Sequence, residues 1–128
     1  ARGATVTNCD INTTNLDDIV RSSDIVVASA GSPELVKADW IKPGAVVVDV
    51  GFHVVTEICP KSGESIERIV GDVEGDARHV ASLLTPVPGG IGPMTVAMVL
   101  ENTADAFFWQ QHVKAHSLDV KQPILAVA

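Results

Sequence analysis

The chain has 128 residues, 46% hydrophobic and 20% charged, which suffices for one domain with a real core and is too apolar for a disordered segment. A formal net charge of −7, no Tyr and no basic stripe argue against a nucleic-acid partner, because an acidic surface repels a phosphate backbone. No apolar run approaches a membrane span, and Cys9 and Cys59 are too few and too far apart for a disulfide framework or a zinc site.

The opening residue is Ala1, with no charged segment leading into an apolar one, so the chain is expected to start partway through a longer protein and not to be secreted. Gly3 suits the end of a preceding helix, and Ala4 to Thr7 predicts a short strand. Asp10 to Thr14 is a polar loop. Asn15 is placed to cap a helix over Leu16 to Ser22, with Leu16, Ile19 and Val20 on one face. A strand is expected over Ile25 to Ser29, a short helix around Leu35 to Trp40, a turn at Lys42-Pro43-Gly44, and a second strong strand over Ala45 to Gly51.

Phe52 to Arg68 has no helical period and contains Pro60 and Gly63, which predicts an excursion, a hairpin for preference, returning through Ile69 to Val73. Glu74 to Ser82 reads as a short helix and Leu83 to Thr85 as a last short strand. Pro93 suits the first turn of a long helix reaching about Lys114. That helix carries Val96, Ala97, Leu100, Ala104, Phe107 and Phe108 at near-helical spacing, a face expected to pack on the sheet.

Apolar strands without alternation, separated by helices, predict an α/β fold: a parallel sheet covered by helices on both faces, with right-handed crossovers. The expected organisation is a partial Rossmann-type dinucleotide-binding domain over residues 1–116 and a tail over residues 117–128. The first βα unit is expected to lie outside these residues, for they hold no G-x-G-x-x-G turn to bind a pyrophosphate.

Three places can carry chemistry. Pro86 to Pro93 holds three glycines and three prolines in a strand-to-helix loop. It reads either as a tight turn or as a backbone cradle for an anionic or carbonyl-bearing ligand, with one X-Pro bond of Pro86-Val87-Pro88 a candidate for the cis form. Ser29-Ala30-Gly31 and Gly51-Phe52 lie at the carboxyl ends of strands, where open parallel sheets bind ligands. Asp10, beyond the first strand, is either a solvated loop carboxylate or an acceptor for ribose hydroxyls that would repel a 2′-phosphate. Asp49 and Asp72, beside glycines at element ends, read as turn anchors. His112 and His116 are i, i+4 without a third ligand, so an exposed helix face is expected and no metal.

The run Thr85 to Val96, TPVPGGIGPMTV, resembles the signature of the bifunctional methylenetetrahydrofolate dehydrogenase/cyclohydrolase family, with Ile91 where the family usually has Val. Ala38 to Gly51 (ADWIKPGAVVVDVG), Val70 to Val73 (VGDV) and Thr95 to Asn102 (TVAMVLEN) match the family's pattern in order. The resemblance covers about Gly3 to Asn102. It implies an enzyme that oxidises 5,10-methylenetetrahydrofolate with NADP or NAD and hydrolyses the methenyl form to 10-formyltetrahydrofolate. It also implies a folate-facing run at Pro88, Gly89, Gly90, Ile91 and Gly92, and cofactor contacts from Asp10, Ser29, Ala30, Gly31, Phe52 and Thr95.

Asp10 stands near a point where NADP-using members have Ser, which tilts the expectation toward NAD. His53 falls where the family often has Asn, and Val54 near an Arg. The family's catalytic lysine lies in a Tyr-x-x-x-Lys motif of an N-terminal domain. This chain has no Tyr, so it contains no catalytic residue and is expected to be inactive by itself. Its implied partners are the folate, that N-terminal catalytic domain and a second copy in a homodimer, in the cytoplasm or mitochondrion. The alternative is a non-catalytic member retained as a structural or binding subunit.

Overall fold

The structure is a computed structural model and describes residues 3–59 and 63–110. The chain divides into two units, one ending at Ile91 and one beginning at Gly92.

The first unit opens with an extended segment and then α1 (Leu16–Ser22), which has Asp17 and Asp18 in its first turn and Arg21 in its last, the order that suits the helix dipole. Asn15 holds the N-cap position with a left-handed backbone (φ 57°), and its side chain makes no capping bond, contrary to the expected cap. β1 (Ile25–Ala28) and β2 (Val46–Asp49) pair in parallel with Ile25 opposite Val46 and Ala28 opposite Asp49. β-branched Val46, Val47 and Val48 favour this conformation. The turn before β2 is built by Pro43 and by Gly44 at φ 83°, closed by an Ala45 N–H that donates to Lys42 O at 3.0 Å.

β3 (His53–Ile58) and β4 (Ser65–Val70) form the predicted hairpin, antiparallel, with His53 opposite Val70. β5 (Leu83–Leu84) lies parallel to β2, giving the order β1-β2-β5.

The two short helices expected around residues 35–40 and 74–82 are reduced to 3-10 helices at Ala38–Trp40 and Gly75–His79. The cause is a parallel bridge between Val36 and Val73. Val36 N–H donates to Asp72 O and Glu74 N–H to Val36 O, both at 2.9 Å, which keeps both stretches extended where helices would have begun. Ala4 to Thr7 forms no strand. No strand lies beside it among the described residues, its residues are exposed, and an extended segment without a hydrogen-bonded neighbour is not a strand.

The core gathers Val20, Val26, Ala28, Val36, Val47 and Ala77, so α1 and the 3-10 helices cover one face of the sheet. The other face is open: Ile25 and Val27 are each 65% exposed. Along β1 exposed and buried residues alternate, so the expectation of strands buried on both faces is not met within this unit.

The second unit contains α2 (Ile91–Gln110), with Pro93 in its first turn as expected. None of its residues is buried. Five consecutive apolar residues, Val96 to Leu100, turn through more than a full circle, so its apolar surface is broader than the single face predicted. The expected continuation to Lys114, the His112/His116 pair and the tail from Ser117 lie outside the described residues.

Candidate functional site

The carboxyl ends of β1, β2 and β4 are held together by two carboxylates. Asp49, 4% exposed at the end of β2, has its Oδ1 accepting from Gly51 N–H (2.9 Å) and Asp72 N–H (3.0 Å), and its Oδ2 from Val73 N–H (3.0 Å). Asp72, fully buried just past β4, reaches across to the loop after β1. Its Oδ2 accepts from Ala30 N–H (2.6 Å) and Gly31 N–H (3.1 Å), and its Oδ1 accepts from Ser32 N–H (3.1 Å). His53 Nε2 lies 2.6 Å from the same Oδ1. Because a carboxylate can only accept, Nε2 carries the proton.

Burial by itself raises the Asp72 carboxyl. The hydrogen bonds from His53 and from the Ala30 and Gly31 amides, with attraction to the His53 ring, outweigh it and hold the group below its ordinary range.

Two glycines make this crossing possible. A Cβ on Gly51 would lie 2.6 Å from Asp72 Oδ1, and one on Gly71 would overlap the Asp49 carboxylate. The predicted role of Asp49 and Asp72 as anchors near glycines is right in kind. Asp49 closes its own turn through Gly51, but Asp72 spans 40 to 42 residues of sequence, which spacing alone does not reveal.

The glycine-rich loop joins the same ends. Thr85 Oγ1 accepts from Asp49 N–H at 2.8 Å, fixing the start of the loop to β2. The Val87–Pro88 bond is cis. Gly89 adopts φ 98°, and a Cβ on Gly90 would run into the Pro86 carbonyl, so the loop's own geometry already requires these two glycines. A cleft of about 340 Å³ opens between the base of the hairpin and this loop, with Glu34, Arg68, Arg78, Thr85, Pro86 and Val87 among its walls.

A profile of the family described as tetrahydrofolate dehydrogenase/cyclohydrolase, NAD(P)-binding domain, matches residues 1–111. The chain belongs to this family. It is 52% identical over 104 residues to bifunctional protein FolD 1 of Rhizobium etli, covering 80% of this chain and 34% of that protein. It is 48% identical over 122 residues to the mitochondrial C-1-tetrahydrofolate synthase of Saccharomyces cerevisiae, covering 94% of this chain and 12% of that one. Among solved structures, the Trypanosoma brucei N5,N10-methylenetetrahydrofolate dehydrogenase-cyclohydrolase, complexed with NADP and an inhibitor, superposes with a TM-score of 0.63 at 50% identity, over 79% of this chain and 33% of that chain. The chain thus spans about a third of the length of the FolD relatives it matches.

Within this NAD(P)-binding domain, Ser29, Ala30 and Gly31 sit exposed at the end of β1, and Phe52 is 61% exposed at the end of β2, one residue from His53. The Asp72–His53 pair therefore brings these two predicted positions together. Pro88 and Gly89 are exposed, and Gly90 and Ile91 are half-buried. Gly92 and Thr95 lie on α2, in the second unit. Asp10 stands apart in a loop of its own, where its Oδ1 accepts from Asn12 N–H (2.9 Å) and from the Thr13 hydroxyl (3.3 Å). The sequence did not reveal the part of His53 in the site, nor the reach of Asp72 to the loop after β1. The only signal was the departure of His53 from the family's Asn.

Proposed function

We propose that this chain is the dinucleotide-binding part of an enzyme that oxidises 5,10-methylenetetrahydrofolate with NAD(P) and hydrolyses 5,10-methenyltetrahydrofolate to 10-formyltetrahydrofolate. The observation that carries the reading is the coincidence of the family match over residues 1–111 with a parallel β1-β2-β5 sheet in which the end of β2 is tied to the start of the glycine-rich loop that follows β5.

The strand ends fit a dinucleotide. Ser29, Ala30 and Gly31 are small and exposed, and a Cβ placed on Gly31 meets nothing within 4 Å, so a flat ligand has room to lie against the main chain. The amides of Ala30, Gly31 and Ser32 are committed to Asp72, so this loop holds the ligand by close contact rather than by N–H donation. Phe52, next to His53 in sequence, offers an exposed ring at the end of β2. The dinucleotide supplies the hydride acceptor. Pro88 to Gly92, three of them glycines, present mainly backbone to the folate, and proton transfer belongs to a residue outside this chain. Asp10 has an Oδ2 that accepts nothing among the described residues, so it is available to ribose hydroxyls and opposes a 2′-phosphate, which favours NAD. Bacterial relatives and a yeast relative described as mitochondrial support a cytoplasmic or mitochondrial setting.

The test is an assay of the complete protein carrying this chain, with 5,10-methylenetetrahydrofolate and each dinucleotide, following reduced cofactor and the methenyl product. Formation of both supports the reading, with NAD the better acceptor. No dinucleotide-dependent turnover contradicts it.

A further inference from the structure

We infer that His53 is a positioning residue for the dinucleotide: its imidazole fixes the Asp72 carboxylate in the one orientation that clamps the backbone of Ala30, Gly31 and Ser32. The inference rests on the reading that this loop lies against the dinucleotide.

The argument is one of valence. An ionised carboxylate offers about four acceptor sites, two on each oxygen. At Asp72 all four are used: Oδ2 takes Ala30 and Gly31, and Oδ1 takes Ser32 and His53. Three of the donors are consecutive amides of one loop. His53 is the only donor from another element, and therefore the only one that ties the carboxylate to something other than the loop it is holding. Its side chain is 20% exposed against 0% for Asp72, and it starts β3, whose pairing with β4 (His53 opposite Val70) anchors its backbone in the hairpin.

Without that fourth bond Oδ1 keeps a single partner, Ser32, and every remaining bond to the carboxylate comes from the loop it is holding. The loop cannot replace the anchor, since Gly31 sits at φ 68° and has no side chain of its own to hold it. A second tie, an Arg68 bridge to Glu34 at 3.3 Å and Glu57 at 2.7 Å, links hairpin and loop further along, but it is solvent-exposed and worth little.

The test compares the complete protein carrying this chain with its His53→Ala, His53→Phe, His53→Gln and Glu57→Gln variants. NAD and NADP are titrated calorimetrically, and kcat is measured at saturating dinucleotide. Gln carries an amide nitrogen at about the reach of Nε2, so it restores the donor, whereas Phe keeps the ring without it. The expectation is a roughly five- to tenfold rise in dinucleotide Kd for His53→Ala and His53→Phe, the scale of one ordinary hydrogen bond lost. Kd stays within about twofold of the parent for His53→Gln and Glu57→Gln, and kcat within about twofold for all four.

Unchanged Kd in His53→Ala and His53→Phe, a His53→Gln variant as weak as His53→Ala, or a loss confined to kcat overturns the inference. So does failure of both His53→Ala and His53→Phe to fold, which assigns His53 to stability alone. A parent that binds neither dinucleotide overturns the cofactor reading itself, a result distinct from any of these.

Discussion

The amide N–H of Asp72 donates to Asp49 Oδ1 at 3.0 Å, so the residue that clamps the loop after β1 is itself held by the carboxylate at the end of β2. Both side chains are buried, and each accepts from backbone amides distant in sequence, Asp49 from its own turn as well. The functional end of the sheet is therefore organised by two acidic residues rather than by packing alone, and its response to substitution follows from hydrogen-bond accounting.

Asp49→Ala strands three amides, those of Gly51, Asp72 and Val73, away from water. A loss of about 3–5 kcal/mol is expected, since each buried donor left unmade costs about 1–3 kcal/mol and part of that cost is recovered by relaxation. Urea unfolding checks this. A loss below about 1 kcal/mol would mean that the carboxylate is not an essential acceptor.

Gly71→Ala and Gly31→Ala separate close approach from backbone strain. At Gly71 the new methyl overlaps the Asp49 carboxylate, whereas at Gly31 it meets nothing within 4 Å and only φ 68° opposes it. Gly31→Ala is expected to cost about 1 kcal/mol and Gly71→Ala clearly more, with local distortion of the Asp49 bonds. Equal thermal shifts for the two variants would contradict the crossing geometry.

The fold was legible where local signals decide it. The extent of α1 comes from its periodicity, β2 from its valines and its Pro43-Gly44 turn, and the parallel pairing from apolar strands set apart by long connections. The short helices at residues 35–40 and 74–82 were not legible, because the Val36–Val73 bridge that competes with them joins residues far apart in sequence. The same reason hid His53 and Asp72. A residue beside a glycine advertises a local turn, while nothing in its neighbourhood names the three amides 40 to 42 residues away that fill its acceptor sites. The strand expected at Ala4 to Thr7 failed for lack of a neighbour to pair with, which no local propensity supplies.

Acid should unfasten this end of the molecule. The Asp72 carboxyl is held below its usual range in the folded state, so its stabilising contribution is complete above the unfolded value near about 3.9 and is lost as pH falls through the lower folded value. Stability measured from pH 6 downward is expected to fall more steeply in the parent than in Asp72→Asn, which lacks the titrating group and is weaker at every pH above that range. Parallel pH profiles would contradict the assignment.

Gly90→Ala tests the second loop. A methyl there runs into the Pro86 carbonyl, so the Pro86 to Ile91 path has to shift, and with it the surface proposed to face the folate. In the complete protein carrying this chain the expected result is at least a tenfold loss of kcat/KM for 5,10-methylenetetrahydrofolate, with dinucleotide Kd changed less than about threefold. A loss of dinucleotide binding with folate binding intact would reverse the assignment of the two sites.

The most direct test of the account is calorimetric titration of NAD and NADP into the complete protein carrying this chain, comparing the parent with Asp72→Asn. The account predicts saturable binding to the parent, tighter for NAD, and a marked weakening in Asp72→Asn, whose amide cannot accept all the bonds that hold Ala30, Gly31 and Ser32. Equal binding by the two proteins, or none by the parent, would contradict it.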